Sequence, residues 1–60
     1  MLPKDDAMLL SLANMKLRDG CASLEELCEE LEAERTELEA RLLSFGYVYD
    51  EAGNRFVPVL

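Results

Sequence analysis

Ser23-Leu24-Glu25-Glu26-Leu27-Cys28-Glu29-Glu30-Leu31-Glu32-Ala33-Glu34-Arg35-Thr36-Glu37-Leu38-Glu39-Ala40-Arg41-Leu42 is the stretch on which the fold turns. It opens with a capping box, in which the Ser23 hydroxyl accepts from the amide three residues on and Glu26 reaches back to the helix start. Leu24, Leu27 and Leu31 follow at helical spacing, so a helix over residues 24–31 is expected. Beyond it Glu32-Ala33-Glu34-Arg35 contains good helix formers and neither Gly nor Pro, so propensity alone permits one long helix through Leu42, as half of a helical hairpin. A continuous helix would carry Leu24, Leu27, Leu31, Leu38 and Leu42 in one stripe with Ala33 beside it. Thr36 with Glu39 offers a second capping box and Glu34 a poorer cap, which favours a break. We read a separate third helix over residues 35–45, lined by Leu38, Leu42 and Phe45 and ended by Gly46.

Upstream, Asp5 has the character of an N-cap, and negative charge there suits the positive end of a helix. The helix it starts, over residues 6–18, has Met8, Leu12 and Met15 at i, i+4, i+7 and Leu10, Ala13 and Leu17 at i, i+3, i+7. That apolar sector is wider than a surface helix needs, so one flank is expected to meet a partner. Lys16 and Arg18 fall in the last turn, where cations complement the carbonyl end, and Gly20 is expected as a left-handed C′ residue. Downstream, Tyr47-Val48-Tyr49-Asp50 and Arg55-Phe56-Val57 are β-prone runs around Glu51-Ala52-Gly53-Asn54, which predicts a hairpin over 47–50 and 55–58. Its register pairs Asp50 with Arg55 as an ion pair, Tyr49 with Phe56 and Val48 with Val57, and Pro58 belongs on an edge. The expected core is Leu9 or Leu10, Leu12, Leu24, Leu27, Cys28, Leu31, Leu38, Leu42, Phe45 and one hairpin aromatic.

Sixty residues, half of them apolar, with thirteen acids against six bases, bound what such a chain can be. The length suits a single small domain over 1–60, and a chain this short has no room for a deep substrate cavity. With no histidine the usual general base is missing, and with no tryptophan, two Tyr and two Phe there is little for a base-stacking platform. We expect no enzyme, no cofactor and no metal: Cys21 and Cys28 stand seven apart, unlike a zinc or redox pair, and are read as reduced, buried thiols. Ala7-Met8-Leu9-Leu10 is the longest apolar run, far short of a membrane span, and the first residues lack signal-peptide character, so a cytoplasmic setting is expected.

Leu27, small Cys28, Leu31, Ala33, Leu38 and Leu42 fall at the packing positions of a helix-turn-helix, and the hairpin stands where a wing would be. The expected fold is therefore mainly α, a three-helix, helix-turn-helix-like bundle with a C-terminal β-hairpin, and it is similar to a winged helix. More closely, Leu2-Pro3-Lys4-Asp5, Met8-Leu9-Leu10-Ser11, Asn14, Lys16-Leu17-Arg18-Asp19, Ser23-Leu24-Glu25-Glu26-Leu27-Cys28, Gly46-Tyr47 and Tyr49-Asp50 resemble a family of short bacterial proteins, domain of unknown function 4250. That resemblance covers nearly the whole chain and implies a bacterial, cytosolic protein. The chain departs from the family pattern at Asp6, where proline usually begins the first helix, and at Glu34, where an Asp-like cap usually begins the third.

A helix-turn-helix invites a DNA-binding reading, in which Arg35, Thr36 and Arg41 would face the groove. The charge of −7 opposes it, because duplex affinity comes chiefly from neutralising phosphates. The glutamates at 25, 26, 29, 30, 32 and 34 read as a solvated helix face, ahead of a dock for a basic partner or a divalent-cation site. Asn14, Lys16 and Arg18 are candidates for a partner contact, weighed against a dipole-complementing role for the cations and simple solvation for Asn14. Tyr47 and Tyr49 read as hairpin packing, while Leu43 and Val59-Leu60 are apolar groups suited to a dimer. The functional expectation is a non-catalytic protein–protein interaction module, self-associating or bound to a larger partner, with a winged-helix-type DNA-binding regulator as the alternative.

Overall fold

The Asp5 carboxylate accepts from the amides of Ala7 at 2.8 Å and Met8 at 3.2 Å, and this cap starts the first helix of the computed structural model, which describes residues 2–59. The elements follow in the order α1 (Asp6–Asp19), α2 (Leu24–Leu31), α3 (Arg35–Ser44), β1 (Tyr47–Asp50) and β2 (Arg55–Pro58). The chain is mainly α with a C-terminal antiparallel hairpin.

The break between α2 and α3 is present, and it is made without glycine. Glu32 adopts the left-handed conformation with φ 54° and ψ 45°. The Ala33 amide then donates to the Cys28 carbonyl at 3.0 Å and the Glu32 amide to that of Glu29 at 3.2 Å. These are the crossed bonds of a Schellman ending, with Ala33 packed on the core beyond it. Glu34 stands at the start of α3 and makes no side-chain cap bond. The start of α2 differs from the sequence reading in one detail: Ser23 Oγ accepts from the Glu26 amide, but Glu26 Oε1 accepts from Ala22 rather than from Ser23. Gly20 is also not left-handed; φ is −157° there, and α1 ends with the Gly20 and Cys21 amides both donating to the Lys16 carbonyl.

Buried side chains come from every helix, from the α1–α2 loop and from β2: Leu9, Ala13, Leu17, Cys21, Leu24, Leu27, Cys28, Leu31, Leu38, Leu42 and Phe56. Two expected core residues are displaced. The face of α1 turned inward carries Ala13 and Leu17 of the second expected stripe, with Leu9 in place of Leu10, while the first stripe turns away: Leu12 is only half-buried at the margin and Met8 and Met15 lie in water. Phe45 sits at the C-cap of α3, where the chain turns through Gly46 at φ 97°; it is 42% exposed and stacks on Tyr47 with ring centroids 5.9 Å apart. Phe56 takes the inner place, tilted against Tyr49 at 5.6 Å. The hairpin register is as read for Asp50↔Arg55, Tyr49↔Phe56 and Val48↔Val57, and it continues to Tyr47↔Pro58. The Asp50–Arg55 pair, however, is not among the ion pairs of the described residues. Both side chains instead crowd Gly53, where a Cβ would meet Asp50 Oδ2 at 2.8 Å and Arg55 Nε at 3.2 Å.

Candidate functional site

The hairpin is held to α1 by two asparagines. Asn14, a candidate partner contact weighed against simple solvation, projects from α1 to the outer edge of β2, where its Nδ2 donates to the Phe56 carbonyl at 3.2 Å and its Oδ1 accepts from the Phe56 amide at 2.7 Å. The side-chain amide thus stands in for a neighbouring strand. Asn54, left-handed at φ 53°, donates from Nδ2 to the carbonyls of Leu17 at 3.2 Å and Cys21 at 3.0 Å, and its Oδ1 accepts from the Tyr49 hydroxyl at 2.6 Å. It satisfies carbonyl groups at the end of α1 that the helix cannot satisfy itself. Burial pushes the Tyr49 phenol up, with the Leu24 backbone acting in the opposite direction.

Between α1 and the hairpin turn runs an open groove of about 860 Å³ that Asn14 and Arg18 line together with Leu10, Met15, Asn54 and Arg55. Lys16 is not part of it. It lies on the other side of α1, in a smaller groove of about 210 Å³ against α2, and its Nζ meets Glu30 Oε1 at 3.2 Å. Arg18 pairs only with its neighbour Asp19 and is three-quarters exposed. The three candidate partner residues therefore do not converge: one is a structural tether, one bridges α1 to α2, and Arg18 alone of them is both charged and open on the hairpin side.

Arg35, Thr36 and Arg41 are likewise spread around α3. Arg35 turns toward α2, bonding Glu25 through Nη1 and Glu39 through Nε at 3.1 Å. Arg41, six residues on and so about 240° further round the helix, reaches the start of α1, where it bonds Asp6 Oδ1 at 2.6 Å and the Lys4 carbonyl at 3.1 Å. Thr36 is exposed between them. Both guanidinium groups are thus engaged by carboxylates that a phosphate would have to displace. A gel shift with duplex DNA at about 150 mM salt, within the range where surface charges are already screened, is expected to show no bound band; a sequence-dependent shift would contradict this.

The acidic face of α2 divides into used and unused groups. Glu25, Glu26 and Glu30 serve Arg35, the Ala22 amide and Lys16, while Glu29, Glu32 and Glu34 are exposed. Among the described residues no group of three or more Cys, Asp or Glu is gathered to hold a metal ion. Cys21 and Cys28 are free and buried. Burial raises both thiols above their ordinary value, with the Glu30 and Glu26 carboxylates adding to the effect at Cys21 and Glu25 and Glu39 at Cys28, where Arg35 works against it. Because the folded chain holds these protons more tightly than the unfolded one, the stability they confer is complete below the ordinary thiol value and falls as pH rises above it. Iodoacetamide near pH 8 should modify the native chain more than about tenfold more slowly than the urea-unfolded chain, since thiolate fraction and access both fall on folding.

No helix of the described residues is long and apolar enough to cross a membrane. The chain belongs to the family described as Domain of unknown function (DUF4250), which matches residues 3–56. That match spans the motifs from Pro3 to Asp50 on which the resemblance was read. No curated protein and no solved structure matches the chain. The sequence reading missed the Asn14 and Asn54 tethers. The signal available for Asn14 was a polar residue directly beside the inward row of α1, next to Ala13, and for Asn54 an Asn following Gly in a short loop.

Proposed function

We propose that this chain is a non-catalytic protein–protein interaction module that associates with itself, working in a bacterial cytoplasm on a winged-helix-like scaffold. The observation that supports this reading is the apolar surface that internal packing leaves outside. Met8 is 62% exposed, Leu43 55%, Val59 50%, Met15 45%, Phe45 42% and Val48 38%. Burial of such surface against another protein is the outlet available to a chain whose own core is already filled, among the described residues, by leucines, Ala13, two cysteines and Phe56. Leu60, read with Val59 as an apolar group suited to a dimer, lies outside the described residues.

Catalysis has no comparable support: the thiols are buried and hold their protons, and the free glutamates stand in water on one helix face. The DNA-binding alternative draws little from the cations, since Lys16, Arg18, Arg35 and Arg41 are already ion-paired. Light scattering at high micromolar concentration should return a mass above the 6.8 kDa chain. A monomer mass, together with a lysate pull-down from which Leu10→Glu and Arg18→Glu variants lose nothing, would withdraw the reading.

A further inference from the structure

The two edges of the hairpin are not equivalent. Phe56 directs its N–H and C=O away from β1, to Asn14, so the Tyr49↔Phe56 pair is one whose backbone groups do not bond each other. By the alternation of an antiparallel ladder, Tyr49 then turns its own N–H and C=O away from β2, and Tyr47, opposite Pro58, does the same. The Val59 amide, donating to the Gly46 carbonyl at 2.9 Å, fits that alternation. On β2 the outer edge is closed by the Asn14 side chain and by Pro58, which has no N–H. The four outward groups of Tyr47 and Tyr49 have no partner among the described residues. Natural sheets often close their edges with charge or proline, and β1 carries neither before Asp50.

The surroundings of that edge are also unlike the rest of the chain. Residues 42–49 and 56–59 contain no charged side chain, in a sequence that is 32% charged and carries −7. Pairing of Val48 with Val57 and the bond from Val59 to Gly46 join the two runs into one strip. It holds Leu43, Phe45, Val48 and Val59, four of the six large apolar residues left exposed among the described residues.

We propose that β1 pairs antiparallel with β1 of a second copy about a twofold axis through Val48, making a four-stranded sheet with both β2 strands outermost. This rests on the interaction-module reading and names its surface, partner and register. Tyr47 of each copy lies opposite Tyr49 of the other, which satisfies all four outward backbone groups of each chain. Asp50 then falls opposite Gly46 of the other copy rather than opposite Asp50, so no like charges face each other across the pair. A second copy fits the strip because the contact is self-complementary and closed. Elsewhere two chains of this charge repel, and the strip itself carries no charged side chain to oppose their approach.

Val48 lies on the outward side of the hairpin and is 38% exposed, so Val48→Lys leaves the core untouched while placing two cations on the axis. A chain of 60 residues is also open to total synthesis with the Tyr49 amide methylated, which removes one outward donor and changes no side chain. Sedimentation equilibrium of the wild-type chain and both variants, with circular dichroism to show that helix is retained, tests the pairing. The wild type should dimerise, and each folded variant should raise the dissociation constant about tenfold or more, a loss of ~1.4 kcal/mol for each factor of ten. A wild-type dimer unaffected by either change overturns the strand pairing and leaves the interaction reading standing. A wild type that stays monomeric overturns the pairing and self-association together.

Discussion

Leu27→Ala is expected to destabilise the chain by about 2–5 kcal/mol, the cost of deleting a fully buried leucine and leaving a cavity where neighbours cannot collapse. Leu27 is wholly inaccessible, on the inner face of α2, within a core to which all three helices and Phe56 contribute. A domain of this length holds only about 3–9 kcal/mol in total, so the variant should lose a large share of its folding free energy. Urea unfolding followed by circular dichroism reads this directly, as a midpoint moved far toward zero denaturant or a chain without a transition. Leu27→Met, which keeps the volume, should cost less than about 1.5 kcal/mol. A change below about 1 kcal/mol in the alanine variant would place the core somewhere other than between these helices.

Asn54→Ala should be the most costly substitution outside the core, at about 2–4 kcal/mol. Two effects combine. An alanine is strained at the left-handed φ of 53°, and the carbonyls of Leu17 and Cys21 and the hydroxyl of Tyr49 all lose their partner. Asn54→Gly separates the two, since glycine accepts the backbone conformation and lacks only the amide, so it should cost measurably less than alanine. Amide hydrogen exchange should show the hairpin opening independently of the helices in both variants, because Asn54 and Asn14 are what hold β2 to α1. Equal losses for alanine and glycine would mean that the backbone conformation at this position contributes nothing.

Local rules carried the reading furthest where two of them agreed. The hairpin register was legible because β-branched and aromatic residues on both runs could be matched around a loop containing Gly and Asn, and the three pairs read from the sequence all stand. The Asp5 and Ser23 caps were legible for the same reason, a short polar side chain just before a periodic apolar run. At α1 the sequence offered more apolar residues than one face can hold, so periodicity left several rows open. Packing chose Leu9-Ala13-Leu17, because small Ala13 lets the neighbouring elements approach, and so left Met8 and Met15 outside. Phe45 was misplaced by extending the stripe of Leu38 and Leu42 one turn too far; the helix ends at Ser44, and the ring then follows the turn to Tyr47. Glu32 gave no signal, since left-handed helix ends are announced by Gly or Asn and a glutamate there looks like continued helix. The candidate site was the least legible part. Whether Arg35 and Arg41 are free to meet a ligand depends on Glu25 and Asp6 being brought beside them, and spacing within α3 says nothing about either.

The central claim is that the uncharged apolar surface of an acidic chain is a contact for another copy of itself, and its response to salt tests this most directly. Two chains of charge −7 repel at long range, and raising ionic strength shortens the Debye length from about 10 Å at 0.1 M to about 3 Å at 1 M. Apolar and backbone contacts are not weakened by that screening, so the dimer should tighten as salt is added. Binding to a nucleic acid does the reverse, weakening steeply because counterions are released on association. Sedimentation equilibrium of the pure chain over that range of sodium chloride should give a mass that moves toward twice 6.8 kDa as salt rises. A monomer at every salt concentration, or a dimer that dissociates as salt is added, would contradict the account.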